Sequence, residues 1–115
     1  MLPKSGDFVV VTKSLKDAIV LYEFSIPAVA PISENLFLTE KQYNALRPNF
    51  KHCIVLYDND YAGITNLRAI KKQYPEVTCT CIPRKYHSKD ISDFYKKYKR
   101  YKTSEFIKES ILKLK

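Results

Sequence analysis

Short apolar runs alternate along this chain with segments in which apolar residues recur at helical spacing. The runs at Phe8–Thr12, Pro27–Pro31, His52–Tyr57 and Val77–Ile82 have the length of β-strands. Continuous runs rich in β-branched residues are typical of strands buried on both faces of a parallel sheet. The pattern therefore predicts four strands.

The segments between and after these runs have the period of amphipathic helices. Ser14 and Thr39 are placed to cap the first two of them. The predicted helices cover approximately residues 15–24, 39–46, 63–73, 91–98 and 103–114. Strands that alternate with helices imply right-handed crossovers. We therefore expect an α/β fold with about four mainly parallel strands, flanking helices and a helical C-terminus.

The third apolar run ends in Asp58-Asn59-Asp60, and Gly63 follows. Alternate residues of an extended segment point the same way, so both carboxylates face one point where the strand ends. Mg²⁺ is usually held by one or two carboxylates together with substrate phosphates, which makes this a candidate site for phosphoryl or nucleotidyl chemistry. The alternative is an acidic turn, in which Asp and Asn bond the backbone.

The predicted strand order favours the metal site over the acidic turn. Ligands of parallel α/β sheets bind outside the carboxyl ends of the strands. Lys13, the Asp58–Asp60 turn and the loop after Pro83 each directly follow a predicted strand. We expect all three to lie on one edge of the sheet.

The length of 115 residues predicts one domain over residues 1–115, with a core at about 8–98 and a C-terminal helix at about 99–115. The formal net charge is +8, and from Arg84 onward Lys and Arg alternate with tyrosines. Basic groups neutralise phosphates and aromatic rings stack on bases, so nucleic acid is the leading predicted partner. The alternative is a solvated helix face whose tyrosines pack inward.

Three cysteines, an odd number, give no disulfide framework, and their spacing does not match a zinc ribbon. We expect buried thiols. No apolar run approaches the roughly 20 residues of a membrane span, and the first seven residues are too short and polar for a signal peptide. The sequence thus predicts a soluble, cytoplasmic protein with no membrane partner.

The order of these motifs resembles the Toprim domain, the catalytic fold shared by primases, topoisomerases and some nucleases. The resemblance extends from Phe8 to about Tyr98, and its most specific part is Asp58-Asn59-Asp60-Tyr61-Ala62-Gly63, which is similar to the Asp-x-Asp-x-Ala-Gly of primases. Lys89-Asp90-Ile91-Ser92-Asp93 is similar to their Lys-Asp-Pro-Asp. The segments 12–17 and 33–36 look most like phage-type primases.

The resemblance implies a set of site residues and a cofactor. Mg²⁺ or Mn²⁺ would be held by Asp58, Asp60 and Asp90, and Asp17 and Asp93 are candidates for a further acid. The implied catalytic residues are Asp58, Asp60 and Lys13. The residues implied to hold nucleotide or nucleic acid are Lys13, Arg84, Lys85 and Lys89.

One residue departs from the Toprim pattern. Toprim domains ordinarily carry a glutamate just after the first strand, where this chain has Lys13. An ammonium group beside Asp58 and Asp60 removes a potential ligand and adds a competing cation. Three compensations are open: Lys13 contacts a phosphate, Asp17 supplies the missing acid, or one metal ion suffices. The simplest interpretation is an ion pair between Lys13 and Asp17 at i,i+4.

The resemblance implies the Toprim domain of a DNA primase, which makes RNA primers by metal-dependent nucleotidyl transfer in DNA replication. Its partners would be single-stranded DNA template, nucleoside triphosphates and other primase modules, namely a zinc-binding domain and a helicase. Such modules do not fit in 115 residues, so we expect part of a larger primase that is inactive alone, in the host cytoplasm if phage-encoded. The alternatives are a non-catalytic nucleic-acid-binding Toprim module and a Toprim nuclease. A phosphoacceptor signalling domain fits less well, because it needs acidic residues where Lys13 stands.

Overall fold

Four parallel strands form one sheet in the computed structural model, which describes residues 6–30 and 40–114. The strands are β1 Gly6–Thr12, β2 Ala28–Val29, β3 Phe50–Leu56 and β4 Thr78–Thr80, and their order in the sheet is β2-β1-β3-β4. Thr12 of β1 lies opposite Leu56 of β3, and Leu56 lies opposite Thr80 of β4. The carboxyl ends of these three strands are therefore level, and the predicted parallel α/β sheet is confirmed.

The helices of the described residues connect and follow the strands. They are α1 Leu15–Glu23, α2 Glu40–Leu46, α3 Tyr61–Gln73 and α4 Ile91–Phe106. Single turns of other helix types occur at Arg84–Tyr86 (3₁₀), Ile107–Ile111 (π) and Leu112–Leu114 (3₁₀). Ser14 caps α1 as predicted, because its Oγ accepts a hydrogen bond from the backbone N–H of Asp17. The predicted cap Thr39 and the predicted loop at Ser33–Asn35 lie outside the described residues.

Both faces of the sheet are covered, which explains the uninterrupted apolar run of β1. Val10 and Ile54 pack on one face against α1, α4 and the C-terminal turns. Val9 and Val55 pack on the other face against α2 and α3. Successive residues of a strand point to opposite faces of the sheet, so the apolar residues of β1 are buried against helices on one face or the other. The fully buried valines of β1 have 0% exposure.

The thiols lie close to the second of these faces. Cys53 is buried there, and Cys79 and Cys81 are half-buried against the same cluster. Burial disfavours the thiolate and raises the pKa of Cys53 to about 11. The expectation of a buried thiol is therefore met at Cys53 and only partly at the other two.

The two helices predicted at the C-terminus are both present and meet at a kink. The sequence predicts helices at about 91–98 and 103–114, and the helical segment α4 is broken at one non-helical residue between them, Lys99. Its φ of 65° and ψ of −172° lie in a region that residues with a side chain rarely adopt. The Oγ1 of Thr103 donates a hydrogen bond to the carbonyl oxygen of Lys99 at 2.7 Å, which holds the next turn against the kink.

None of the helices in the described ranges has the length and apolar character required to cross a bilayer.

Candidate metal centre

Three aspartates from different parts of the chain meet at the carboxyl end of the sheet. Asp58 directly follows β3, Asp17 lies in the first turn of α1, and Asp90 directly precedes α4. One carboxylate oxygen of each lies within 4.8 Å of the others. Asp17 and Asp58 are 2% and 3% exposed, whereas Asp90 is partly exposed. We call these three residues the acidic cluster.

Helix α3 packs so closely on Asp58 that only glycine fits at residue 63. A Cβ atom there would lie 2.0 Å from the backbone oxygen of Asp58, well inside van der Waals contact. The backbone N–H of Gly63 donates a hydrogen bond to Oδ1 of Asp60 at 2.7 Å, which caps the helix. The glycine therefore sets the approach of α3, and the turn holds Asp58 at the end of its strand.

Asn59 ties the turn after β3 to the loop that carries Asp90. Its Nδ2 donates to the carbonyl oxygens of Ile82 and Ser88 at 2.7 and 2.8 Å. Its backbone N–H donates to the carbonyl oxygen of Lys89 at 2.9 Å. These three bonds bring Asp90 beside Asp58. Sequence reasoning missed this role, and the only available signal was an amide residue between two aspartates at the end of a buried strand.

Asp17 joins the starts of two helices. Its Oδ1 accepts hydrogen bonds from the hydroxyl of Ser92 at 2.5 Å and from the backbone N–H of Ser92 at 3.2 Å. Burial raises the pKa of Asp17, the charges of Asp90 and Asp58 raise it further, and the bonds from Ser92 oppose the shift. The net direction is upward, so this carboxylate is poorly compensated in the protein alone.

Lys13 pairs with Asp58. Its Nζ lies 3.4 Å from Oδ2 of Asp58, and no ion pair between Lys13 and Asp17 occurs among the described residues. The simplest interpretation of the sequence, a pair at i,i+4, is therefore incorrect, because Asp17 turns toward Ser92. Burial raises the pKa of Asp58, Lys13 lowers it, and the charges of Asp90 and Asp60 raise it. The lysine compensates only part of the negative charge.

Asp60 and Asp93 do not belong to the acidic cluster. Asp60 caps α3 with one carboxylate oxygen and is close enough to raise the pKa of Asp58. Asp93 is exposed, and its backbone N–H donates to Oδ1 of Asp90 at 2.9 Å. Of the three predicted metal ligands, the structure brings Asp58 and Asp90 together and adds Asp17. The assignment of Asp60 as a ligand stays a prediction.

Two of the predicted phosphate-binding residues line an open cleft next to this site. The cleft has a volume of about 350 Å³ and is bordered by Asn59, Asp60, Arg84 and Lys89, together with His87, Ser88 and Asp93. Lys85 is turned elsewhere, since its Nζ lies 5.2 Å from the ring centroid of Tyr86. The lining of the cleft therefore contains both positively charged side chains and carboxylates.

Most tyrosines of the basic C-terminal segment pack inward. Tyr86 and Tyr98 form edge and tilted ring contacts with Phe94, and Tyr95 contacts the ring of Phe24. Tyr101 differs from these, with 79% exposure. Inward packing, the alternative interpretation of this segment, therefore describes three of its tyrosines.

The donor set of the acidic cluster fits a divalent hard cation. Carboxylate oxygens are the ligands that Mg²⁺ and Mn²⁺ prefer, and three of them converge here. Burial and mutual repulsion raise the pKa values of Asp17 and Asp58, so added positive charge would stabilise both. Together the parallel sheet and the carboxylates that converge at its carboxyl end define an α/β domain with a candidate site for a divalent metal ion.

The Toprim-like family matches residues 10–95 of the chain, a range that contains all three members of the acidic cluster. The protein belongs to this family. Toprim domains bind divalent metals through acidic residues. No curated protein and no solved structure shows a significant match.

Proposed function

We propose that this protein is the Toprim domain of a phage-type DNA primase, which uses Mg²⁺ or Mn²⁺ for nucleotidyl transfer in RNA primer synthesis on single-stranded DNA. The observation that carries the proposal is the convergence of Asp17, Asp58 and Asp90 at the strand ends, inside the Toprim-like match. The primase assignment rests further on the similarity of residues 58–63 to the Asp-x-Asp-x-Ala-Gly motif of primases.

The acidic cluster would hold the divalent ion. A bound ion of this kind supplies positive charge that neutralises the oxygens of a reacting triphosphate. Asp58 is held in place because Gly63 lies against its backbone oxygen and Asn59 anchors the turn that follows it. Asp90 is held through the loop that Asn59 anchors, and Asp17 through Ser92. Such preorganised ligands are what catalysis by charge stabilisation requires.

The cleft beside the cluster would take the phosphates. Arg84 and Lys89 line it together with Asn59 and Asp60, the two residues that follow Asp58 in the chain. A phosphate chain bound by these cations would lie next to the turn that carries Asp58. Lys85 is the weakest of the predicted phosphate contacts, because its ammonium group lies against the ring of Tyr86.

Lys13 favours one second candidate function, a non-catalytic nucleic-acid-binding module on the same scaffold. The ammonium group already neutralises part of the cluster at 3.4 Å from Asp58. A module of this kind would bind nucleic acid through its basic surface in a salt-dependent way, without a requirement for divalent ions.

Calorimetric titration with Mn²⁺ tests the metal assignment. We expect wild-type protein to bind Mn²⁺ and Asp58→Asn to lose at least tenfold in affinity, since one buried charged ligand disappears. Asp7→Asn is the matched control, because Asp7 is exposed at the start of β1, at the opposite end of that strand from the cluster. Equal binding by wild type and Asp58→Asn would contradict the proposal.

Three further assays separate the candidate functions. A primase domain binds nucleoside triphosphates in the presence of Mn²⁺ and loses this binding in Asp58→Asn. A nuclease instead cleaves DNA in a metal-dependent reaction without nucleoside triphosphates. A non-catalytic module binds single-stranded DNA equally in wild type and Asp58→Asn, with or without Mn²⁺.

A further inference from the structure

Lys13 is the one positively charged side chain that contacts the acidic cluster among the described ion pairs. It follows β1 directly, and its Nζ lies 3.4 Å from Oδ2 of Asp58. The side chain of Lys13 is 26% exposed, whereas that of Asp58 is 4% exposed. The lysine therefore reaches from the solvent edge into the buried site.

The ammonium group of Lys13 does not neutralise the whole negative charge of the acidic cluster. Three carboxylates share the cluster and one ammonium group contacts it, so a net negative charge remains. The distance of 3.4 Å is longer than a strong charge-assisted hydrogen bond. A divalent ion that binds the same oxygens would repel the ammonium group, since like charges at a few ångströms cost free energy in a partly buried site. Lys13 and the metal ion therefore compete for Asp58.

The ammonium group of a lysine can move away from a carboxylate and still remain near the site. Its ammonium group ends a flexible stem of four carbons and bonds phosphate oxygens as a point charge. The exposure of Lys13 leaves room on its solvent side, next to the turn after β3 that also borders the cleft of Arg84 and Lys89. The same group can thus bond a carboxylate or a phosphate, but not both fully.

We infer that Lys13 is an exchangeable cation of the site, which bonds Asp58 when the cluster is empty and a phosphate oxygen of the substrate when a divalent ion binds. This inference rests on the proposed function, because it assumes that the cluster takes a divalent ion. The ligand class it assigns to Lys13 is a metal-bound polyphosphate. Substrate and metal ion then favour each other's binding, since the phosphate relieves the repulsion between Lys13 and the ion.

The test uses one substitution and two titrations with opposite expected results. Removal of the charge in Lys13→Met should tighten Mn²⁺ binding about tenfold, measured from the electron paramagnetic resonance signal of free Mn²⁺. The same substitution should weaken binding of the Mn²⁺–tripolyphosphate complex to Mn²⁺-saturated protein about tenfold, measured by calorimetry. A merely structural ion pair would not change the two affinities in opposite directions.

Three control variants make the result specific. Lys16→Met removes an exposed lysine from the first turn of α1, three residues further along the chain, and should change neither affinity. Lys13→Arg keeps the charge and should retain the binding of the tripolyphosphate complex. Lys13→Gln keeps a polar side chain next to Asp58 and replaces Lys13→Met in both titrations if the methionine variant does not fold.

The outcomes separate the inference from the function on which it rests. If wild type binds Mn²⁺ and Asp58→Asn does not, but Lys13→Met behaves like wild type or weakens both affinities, the inference is overturned and the metal site remains. If wild type does not bind Mn²⁺ at all, the metal-dependent function is overturned together with the inference.

Discussion

The two turns that follow β1 and β3 have the same backbone design and opposite charges. In each, a capping side chain accepts a hydrogen bond from the N–H three residues on, from Asp17 to Ser14 at 3.3 Å and from Gly63 to Asp60 at 2.7 Å. The turn after β3 presents a carboxylate, Asp58, whereas the turn after β1 presents an ammonium group, Lys13. A shared turn geometry thus fixes where a side chain stands but not the charge that it carries.

The turns also differ in how strongly packing constrains them. The turn after β3 has helix α3 against its backbone at Gly63 and is tied to the loop before α4 by Asn59. The side chain of Lys13, in the turn after β1, is 26% exposed and makes one long ion pair. We expect substitutions in the turn after β3 to cost folding free energy and substitutions near Lys13 to change charge balance.

The largest expected effect comes from Gly63→Ala. The new Cβ would lie 2.0 Å from the backbone oxygen of Asp58, so α3 must move away from the strand end. We expect the free energy of unfolding to fall by about 3 kcal/mol, at the upper end of overpacking effects. Denaturant unfolding at equilibrium measures this loss.

Gly6→Ala is the matched control, because it makes the same chemical change at the other glycine of the chain. A Cβ at residue 6 would lie 3.5 Å from the ring of Phe50, an ordinary contact. We expect a change within about 0.5 kcal/mol. Equal losses in both variants would show that close packing at Asp58 is not what distinguishes the turn after β3.

Asn59→Ala should have the next largest effect. It removes two hydrogen bonds and leaves the carbonyl oxygens of Ile82 and Ser88 without this donor, which we expect to cost about 2 kcal/mol of unfolding free energy. Mn²⁺ affinity should fall about tenfold, because the loop that positions Asp90 is released.

The exposed Asn44 of α2 provides the control for this substitution. Asn44→Ala should leave Mn²⁺ affinity unchanged and alter stability by only a few tenths of a kcal/mol, in the favourable direction for a helix. If Asn59→Ala kept full Mn²⁺ affinity, the loop would be positioned by other contacts.

Asp17→Asn should act in the opposite direction and stabilise the protein without metal by about 1 kcal/mol at neutral pH. The neutral amide can still accept hydrogen bonds from Ser92, while a poorly compensated buried charge is removed. Thermal unfolding in the presence of a chelator measures the gain. Added Mn²⁺ should reverse the order of stability, since wild type then gains a ligand that the variant has lost.

The difference in stability between wild type and Asp17→Asn should depend on pH in a defined direction. Burial raises the pKa of Asp17 above its ordinary value of 3.8, so the folded state binds the proton more tightly than the unfolded chain. The contribution of Asp17 to wild-type stability is therefore most favourable with the carboxyl protonated and falls as pH rises from about 3.8 through the raised pKa. The advantage of Asp17→Asn should appear over that interval and be absent below it. An advantage that is constant with pH would contradict this assignment.

Much of the fold could be predicted because local sequence signals agree with the final packing. The apolar runs of β1 and β3 are buried on both faces, and Ser14, a typical capping residue, caps α1 as predicted. The helix break near Lys99 was also visible, although its extent was not. Two-residue β2 and three-residue β4 are shorter than their apolar runs, because strand length depends on pairing partners that the sequence does not reveal.

The sequence predicted those features of the site that depend on one short stretch of the chain, but not the contacts between distant residues. Asp58 follows from the end of an apolar strand, but the partner of Lys13 depends on which way two side chains turn. The i,i+4 spacing in the sequence favoured Asp17 as that partner. In the structure Asp17 instead accepts hydrogen bonds from Ser92, 75 residues away, and Lys13 pairs with Asp58. Contacts over such separations are set by tertiary packing, which local periodicity does not encode.

The smallest expected effect separates two roles of Asp60, capping residue and metal ligand. Asparagine caps helices about as well as aspartate, so Asp60→Asn should change the unfolding free energy by less than about 0.5 kcal/mol. The structure gives Asp60 no place in the acidic cluster, so Mn²⁺ affinity should fall only about threefold through the lost nearby charge. Asp60→Ala, by contrast, should cost about 1 kcal/mol through loss of the cap. A loss of Mn²⁺ affinity in Asp60→Asn as large as that in Asp58→Asn would make Asp60 a ligand, and the turn after β3 would then supply two carboxylates to the metal centre.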